Sequence, residues 1–401
     1  MNKKIVFITS SFPFGESEIW AFNEIDSTIK LGNQVTIIPR TGKGKIINKD
    51  TEKFISNLID LPFLNWEMVA FFVNVLLFKP FLFLKIINGN LKQSNNPKDF
   101  IKGLIVLPKS FFIAKMLVNK KIDHIHSLQT TSTAFMAFTI SYLLKVPWSF
   151  TLHTSEIVNS QYKRSFKFRS DHATICRTIS KRTADDLSNF LGPHVSDKII
   201  NIPLGVDVKV IKKEISSSNN IFTIATPAKL IPRKGHVFSI EAAKKLIDLG
   251  INDFKWFFFG SGPLLNELKK KVKNLNLSKH CFFLGNLDHD QLIYKYRNNE
   301  IDAVIISSLS KDVPEGIPVS LMEAMSYEIP VIATDCGGTK ELVDGKSGIL
   351  INQSDPEAIV NAIQELIKKP DFRKKIALNG RKKVSEDFDT IKNTYDLINL
   401  F

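Results

Sequence analysis

Two glutamates eight positions apart, Glu315 and Glu323, bracket the segment Glu315-Gly-Ile-Pro-Val-Ser-Leu-Met-Glu323. Carboxylates accept hydrogen bonds from hydroxyl groups. At a rise of ~1.5 Å per helical residue, such a pair stands up to ~12 Å apart. That is too wide for two acids acting on one bond, and it suits a grip on both ends of an elongated ligand. Pro318 fits the first turn of a helix, where a missing N–H costs nothing. Gly316 leaves room for a ligand to press against backbone, and N–H groups at the helix start form a site for phosphate between the acids. A sugar, a diphosphate and a ribose in line would fill this frame. The same residues also read as one acid favoured by a helix dipole and one solvated helical glutamate.

A second cluster is basic. Pro227-Ala-Lys-Leu-Ile-Pro-Arg-Lys-Gly235 carries Lys229 and Lys234 in one short stretch. Their ammonium groups can neutralise a diphosphate leaving group, whose charge grows in the transition state. Such a run also occurs as a merely solvated surface. His153 ends the run Ser149–His153, where an imidazole taken alone serves the structure more often than chemistry. No residue stands out as a nucleophile for a covalent intermediate. Gly260-Ser-Gly262 only faintly echoes a dinucleotide loop, because Leu265 stands where the third glycine belongs.

These residues need elements to hold them. The chain of 401 residues alternates short β-branched or aromatic runs with amphipathic helical windows, the pattern of parallel α/β units. Strands are predicted at Lys4–Thr9, Gln34–Pro39, Asp123–His126, Ser149–His153, Ala173–Arg177 and Ile199–Leu204. Val206–Asn220 loses periodicity and ends in Ser-Ser-Ser-Asn-Asn, a linker. The alternation then restarts at Phe222–Ala225, Lys255–Phe259, Cys281–Leu284, Ala303–Ser307 and Val331–Thr334. The expected organisation is an α/β fold of two Rossmann-like, doubly wound domains, residues 1–205 and 206–389, facing an interdomain cleft. Ligands bind such sheets at the carboxyl ends of the strands. A last helix, 390–401, is drawn as returning to the first domain.

The net charge is +14, and it is uneven: residues 1–200 hold 26 basic and 15 acidic side chains, and residues 201–401 hold the other 28 and 25. A basic face attracts nucleic acid, anionic lipid or phosphorylated compounds. No nucleic-acid-binding motif is present, and nucleic acid is not an expected partner. Leu61–Ile87 is the most apolar stretch, but Glu67 and Lys79-Pro80 interrupt it, so a bilayer crossing is not expected. Residues 60–121 interleave nine lysines with Phe, Leu and Ile. They read as a helix pair buried on a sheet, or as one that also touches an anionic membrane surface. Three scattered cysteines and a short apolar N-terminal run point to a reducing cytoplasmic compartment, with a peripheral place on the inner face of the membrane if that contact exists.

Glu315–Ile351 resembles the nucleotide-sugar segment of retaining GT-B glycosyltransferases of family 4. The Glu-x7-Glu spacing, Pro330-Val-Ile-Ala-Thr334, Gly337-Gly338 and Asp344-Gly345 ahead of Gly348 follow in that family's order. Pro227–Gly235 is similar to its GRLxxxKG segment, and Ser10–Trp20 and His126–Ile157 resemble the branch that builds bacterial exopolysaccharide, including colanic-acid-type enzymes. The resemblance implies that Glu315 contacts the donor sugar, with Gly316, Ile317 and Pro318 near sugar and phosphate. It implies Glu323 on the ribose hydroxyls, Lys234 on the diphosphate, His153 near the donor sugar and Gly15 where backbone approaches donor or acceptor. Glu156 would meet the acceptor. Lys229 stands where the family usually has arginine, so it offers a point charge rather than a bidentate fork. The implied activity is transfer of a hexose from a nucleotide-diphosphate sugar to a lipid-linked saccharide, with no cofactor and no metal, cations and helix amides doing a metal's work. Open beside it stand a soluble transferase acting on a small acceptor and a non-catalytic polysaccharide-assembly subunit that binds nucleotide sugar.

Overall fold

Runs such as Lys4-Ile-Val-Phe-Ile-Thr9 are apolar at nearly every interior position, the composition of a strand covered on both faces of a parallel sheet. In the computed structural model, which describes residues 2–14, 18, 20–42, 44–46, 49–153, 162–208, 221–286, 289–310 and 316–401, such runs build two six-stranded sheets. The chain divides into two units: Met1–Leu204 with Ile391–Phe401, and Gly205–Thr390.

In the first unit the strands are β1 (Lys4–Thr9), β2 (Gln34–Pro39), β3 (His124–Ser127), β4 (Trp148–Leu152), β5 (Ile175–Thr178) and β6 (Ile199–Asn201). They pair in parallel in the order β2-β1-β3-β4-β5-β6. The helices are α1 (Ala21–Lys30), α2 (Trp66–Phe78), α3 (Pro80–Gln93), α4 (Pro97–Leu117), α5 (Ser132–Leu144), α6 (Lys163–His172) and α7 (Lys181–Leu191). Trp148, Phe150, Phe135, Met136 and Phe111 are among the buried side chains packed between sheet and helices.

The second unit holds β7 (Phe222–Pro227), β8 (Phe254–Phe259), β9 (Cys281–Gly285), β10 (Ala303–Ile306), β11 (Val331–Thr334) and β12 (Ile349–Ile351). Their order is β12-β11-β10-β7-β8-β9, again all parallel. Its helices are α8 (His236–Asp248), α9 (Leu265–Asn274), α10 (His289–Arg297), α11 (Val319–Ser326), α12 (Thr339–Leu342), α13 (Pro356–Lys368) and α14 (Pro370–Asp387). Val206 belongs here: its N–H donates to Phe388 O at 2.9 Å, and its carbonyl accepts from Thr390 N at 3.0 Å. Most of the expected linker, residues 209–220, lies outside the described residues.

The last helix, α15 (Thr390–Asn399), runs into the tail of the first unit. Lys3 Nζ donates to Ile398 O (2.8 Å) and Phe401 O (2.6 Å). The Phe401 ring lies flat on His124, with centroids 4.0 Å apart.

α2 and α3 depart from a buried pair. They bend by 111° at Lys79–Pro80, and only Met68 of α2 is fully buried. Trp66, Phe78 and Phe81 are each at least 76% exposed. Among the described residues no single helix is long and apolar enough to cross a membrane; this bent pair reaches the needed length and composition only when taken together.

Candidate functional site

In the second sheet the chain reverses direction of growth between β7 and β10, which are hydrogen-bonded neighbours. A crevice opens at such a switch point because the loops leaving the two strands turn opposite ways. The loop after β7 carries Lys229 and Lys234. The loop after β10 leads toward Gly316, Ile317, Pro318 and α11. Three bonds stitch the two loops: Leu309 N donates to Arg233 O (2.8 Å), and Ser307 Oγ donates to Lys234 O (3.2 Å) and Gly235 O (3.0 Å). Gly235 is required at the seam. Its φ is +61°, and a Cβ there would stand 2.0 Å from Ser307 O.

Lys229 is exposed, Lys234 partly buried. Gly260-Ser-Gly262 has a structural role beneath them. Leu230 N donates to Ser261 O (2.9 Å), and Cβ atoms on Gly260 and Gly262 would fall 2.3 Å from the carbonyl oxygens of Ala228 and Leu230. The two glycines let one turn press on the backbone that carries Lys229. α11 starts at Val319, so Pro318 occupies the capping position just outside the first turn. Among the described residues no side chain caps this end, which leaves first-turn amides available to an anion.

Glu323 lies in the second turn of α11, its side chain 16% exposed, and accepts from His289 Nε2 at 2.9 Å. His289 is half exposed on α10 and was not singled out in the sequence. Beneath them Tyr296 is fully buried, and burial and the Glu323 charge hold its hydroxyl well above the usual phenol range. Glu315 lies outside the described residues, as does the whole stretch 311–315, so the span between the two acids does too.

The first unit treats its switch point, between β1 and β3, differently. There the loop leaving β1 turns its amides onto the carboxylate of Glu18, which is 1% exposed and accepts from Ser10 N (3.0 Å), Ser11 N (2.6 Å) and Phe12 N (2.9 Å). An internal carboxylate thus fills the amide nest that would otherwise hold a phosphate. Gly15 and Glu156 lie outside the described residues. His153, just past β4, donates from Nε2 to Leu128 O (2.7 Å), and its ring lies against Trp20, centroids 4.1 Å apart. Burial pushes its pKa down to about 4. The ring is therefore neutral at pH 7 and leaves Nδ1 as an acceptor, suited to a sugar hydroxyl. Donation to a phosphate would need a second proton that burial opposes.

The three cysteines are buried and unpaired. Burial pushes the thiols of Cys176 and Cys281 up to about 11 and about 12, out of nucleophilic chemistry at neutral pH. Two Asp-x-Asp triplets, a spacing that can hold a metal, occur at Asp288-His-Asp290 and Asp387-Phe-Asp389. Asp387 pairs with Lys383 (2.8 Å), and Asp288 lies outside the described residues. Among the described residues no three His, Cys, Asp or Glu side chains converge as a metal-binding group.

Residues 207–383 match the family described as Glycosyl transferases group 1. An uncharacterised glycosyltransferase of Methanocaldococcus jannaschii is 27% identical over 286 residues, 70% of this chain and 76% of that protein. The putative colanic acid biosynthesis glycosyltransferase WcaL of Salmonella typhimurium is 28% identical over 198 residues, 48% of each chain. A UDP-Gal:alpha-D-GlcNAc-diphosphoundecaprenol alpha-1,3-galactosyltransferase of Escherichia coli is 28% identical over 219 residues, 51% of this chain and 54% of that one. The chain therefore spans about half the length of the last two. Among solved structures, a glycosyltransferase from Rickettsia africae superposes with a TM-score of 0.75 at 19% identity, covering 100% of this chain and 98% of that one. Anabaena HepE in complex with UDP and glucose gives 0.72 at 17% identity, with 99% of each chain covered.

Proposed function

We propose that this chain, a GT-B protein with a group 1 glycosyltransferase domain, moves a hexose from a nucleotide-diphosphate sugar to a lipid-linked saccharide, with retention, in the building of a bacterial surface polysaccharide. The observation that carries this reading is the stitched pair of loops at the β7/β10 switch point, one carrying two lysines and the other leading to the start of α11. Lys229, Lys234 and the first-turn amides of α11 hold the diphosphate. Glu323, oriented by His289, takes the ribose hydroxyls. Glu315 and Gly316–Pro318 take the sugar, with Gly15 approaching by its backbone and Glu156 meeting the acceptor.

In the transfer, the bond from C1 to the phosphate oxygen breaks and its electron pair stays on that oxygen. The acceptor oxygen bonds C1 on the same face and gives its proton to the departing phosphate. Lysines and helix amides, fixed before the reaction, stabilise the charge that builds there. Neutral His153 accepts from a sugar hydroxyl at Nδ1. No metal enters this scheme, so turnover in excess EDTA stays unchanged; complete loss restored by Mg²⁺ or Mn²⁺ overturns that part.

The lipid-linked acceptor is supported by the apolar corner of α2 and α3. Trp66, Leu77, Phe78, Phe81 and Leu84 are exposed there, with Lys79 and Lys85 among them. A corner of this kind seats in the interface of an anionic membrane, at the inner face of the cell membrane in this reading. A panel of nucleotide sugars in thermal-shift and hydrolysis assays tests the donor: one of them should raise Tm and be hydrolysed slowly. If none binds, the reading fails. Co-sedimentation with anionic vesicles tests the membrane contact, and a protein that stays in solution at low salt favours the small-acceptor transferase.

A further inference from the structure

The first unit contains a cavity of about 410 Å³ that the donor chemistry does not use. It opens at the β1/β3 switch point, walled by Ser10 after β1, Arg40 after β2, the segment Gln129–Ser132 after β3, and faces of α3, α4 and α6. Its volume falls within the range of small-molecule sites, and among the described residues its charged lining is Arg40, Lys102 and Arg169 with the acid Asp99.

The walls are built but not satisfied. Arg40 bonds two hydroxyls, Ser10 Oγ through one terminal nitrogen (3.1 Å) and Ser132 Oγ through the other (3.4 Å), and its buried Nε has no partner. Gln93, 3% exposed, accepts from Arg169 Nε (3.3 Å) and leaves its amide nitrogen without a partner; Asn95 Oδ1 is likewise buried and unpaired. Buried polar groups are almost always bonded, so three orphans lining one cavity mark a missing ligand. The wall is also rigid. Lys109, wholly buried, donates to the carbonyls of Pro39 (2.8 Å), Arg40 (3.3 Å), Thr41 (3.4 Å) and Leu61 (3.1 Å), which fixes the backbone from which Arg40 projects. The first turn of α5 adds amides at Ser132, with no side-chain cap.

We propose that this cavity receives a phosphoryl group carried by the acceptor, its oxygens on Arg40, Arg169 and Lys102, with Gln93 Nε2 donating to an oxygen of the ester and Asn95 Oδ1 accepting from a hydroxyl of the esterified group. Guanidinium forks match phosphate oxygens, and the lysine adds a point charge. Glu18 has already closed the neighbouring amide nest, so the cavity beside it is the anion site this unit keeps. The inference rests on the transferase reading and deepens it, since it gives the acceptor a phosphate. That phosphate comes from a soluble sugar phosphate or from a lipid headgroup. Ile101 and Ile105, exposed on either side of Lys102 along α4, offer an apolar path for a lipid tail.

The test uses the full chain first saturated with the nucleoside diphosphate that raises its Tm, so that the donor site is occupied. Glucose 1-phosphate is then titrated, and in parallel neutral phosphatidylcholine vesicles are offered with and without a polyprenyl phosphate. Added binding in either arm is expected, and the arm that responds identifies the source. Lys102→Glu, on an exposed side chain, and Arg40→Gln should each weaken that binding tenfold or more. No binding in either arm, or equal binding by both variants, overturns the proposal. Failure of every nucleoside diphosphate to bind would instead sink the donor reading, and the two phosphate arms still report on the cavity.

Discussion

Two switch points in one chain have been put to opposite uses. At β7/β10 the loops are stitched to each other by backbone and serine; they carry Lys229 and Lys234 and lead to the start of α11. At β1/β3 the loop amides are consumed internally by Glu18, and charge is supplied instead by side chains from α4, α6 and the end of β2. The same sheet geometry thus places lysines beside first-turn helix amides in one unit, and in the other consumes its loop amides and gathers cationic side chains. Backbone suits a diphosphate whose position must not vary, because amides carry no rotamer freedom to lose. Side chains suit a group whose parent compound differs from one enzyme to the next.

Removing a cation from the second unit should break this contrast most severely. Lys234→Ala should lower transfer by roughly 10³-fold, the size seen when one fixed donor to developing charge is lost, with the fold intact by circular dichroism; unchanged kcat would remove Lys234 from the diphosphate. Glu18→Ala should destabilise the first unit by about 3 kcal/mol, because three N–H groups, that of Phe12 buried and those of Ser10 and Ser11 part-buried, lose a charged acceptor. Calorimetry reads the loss, and inorganic phosphate should restore part of it by entering the vacated nest. Gly235→Ala forces a Cβ onto Ser307 O at a positive φ, so about 2–4 kcal/mol should be lost from the second unit; nucleotide binding should weaken with it while the first unit's transition stays put.

Taken per side chain, the smallest effect is acid sensitivity. His124 and His126 are buried, bonded to Ser149, and neutral. Burial pushes His124 down to about 3 and His126 well below the usual imidazole range. As pH falls through ~6.5 the unfolded chain takes up protons that the folded rings refuse, so stability is lost from there downward, by roughly 2 kcal/mol per ring at pH 5. The first unit also holds His153, and the second has only His236 shifted the same way. The first unit should therefore melt earlier as pH falls, and equal loss in both units would break the distinction.

The legibility of the molecule follows the same division. β1, β2 and β11 were readable to the residue because each is a dense apolar run between turn residues. β12 escaped because three residues, Ile349–Ile351, are too short to show a period. α14 escaped because lysines dilute its buried positions Ile376, Ala377, Gly380 and Val384. Of the proposed site, Lys229, Lys234 and Glu323 could be singled out because each lies in a short contiguous segment. His289 reaches Glu323 from another helix, and the cavity of the first unit gathers side chains from residues 10 to 169, so no local pattern announced either.

The tail clasp on Lys3 and His124 has a consequence for biosynthesis. Residues 391–401 emerge from the ribosome after all of the second unit, although they complete the first. The amino-terminal half must therefore wait, unfinished, while the later half acquires its sheet, and a translation stall anywhere between them would strand a domain lacking its final brace.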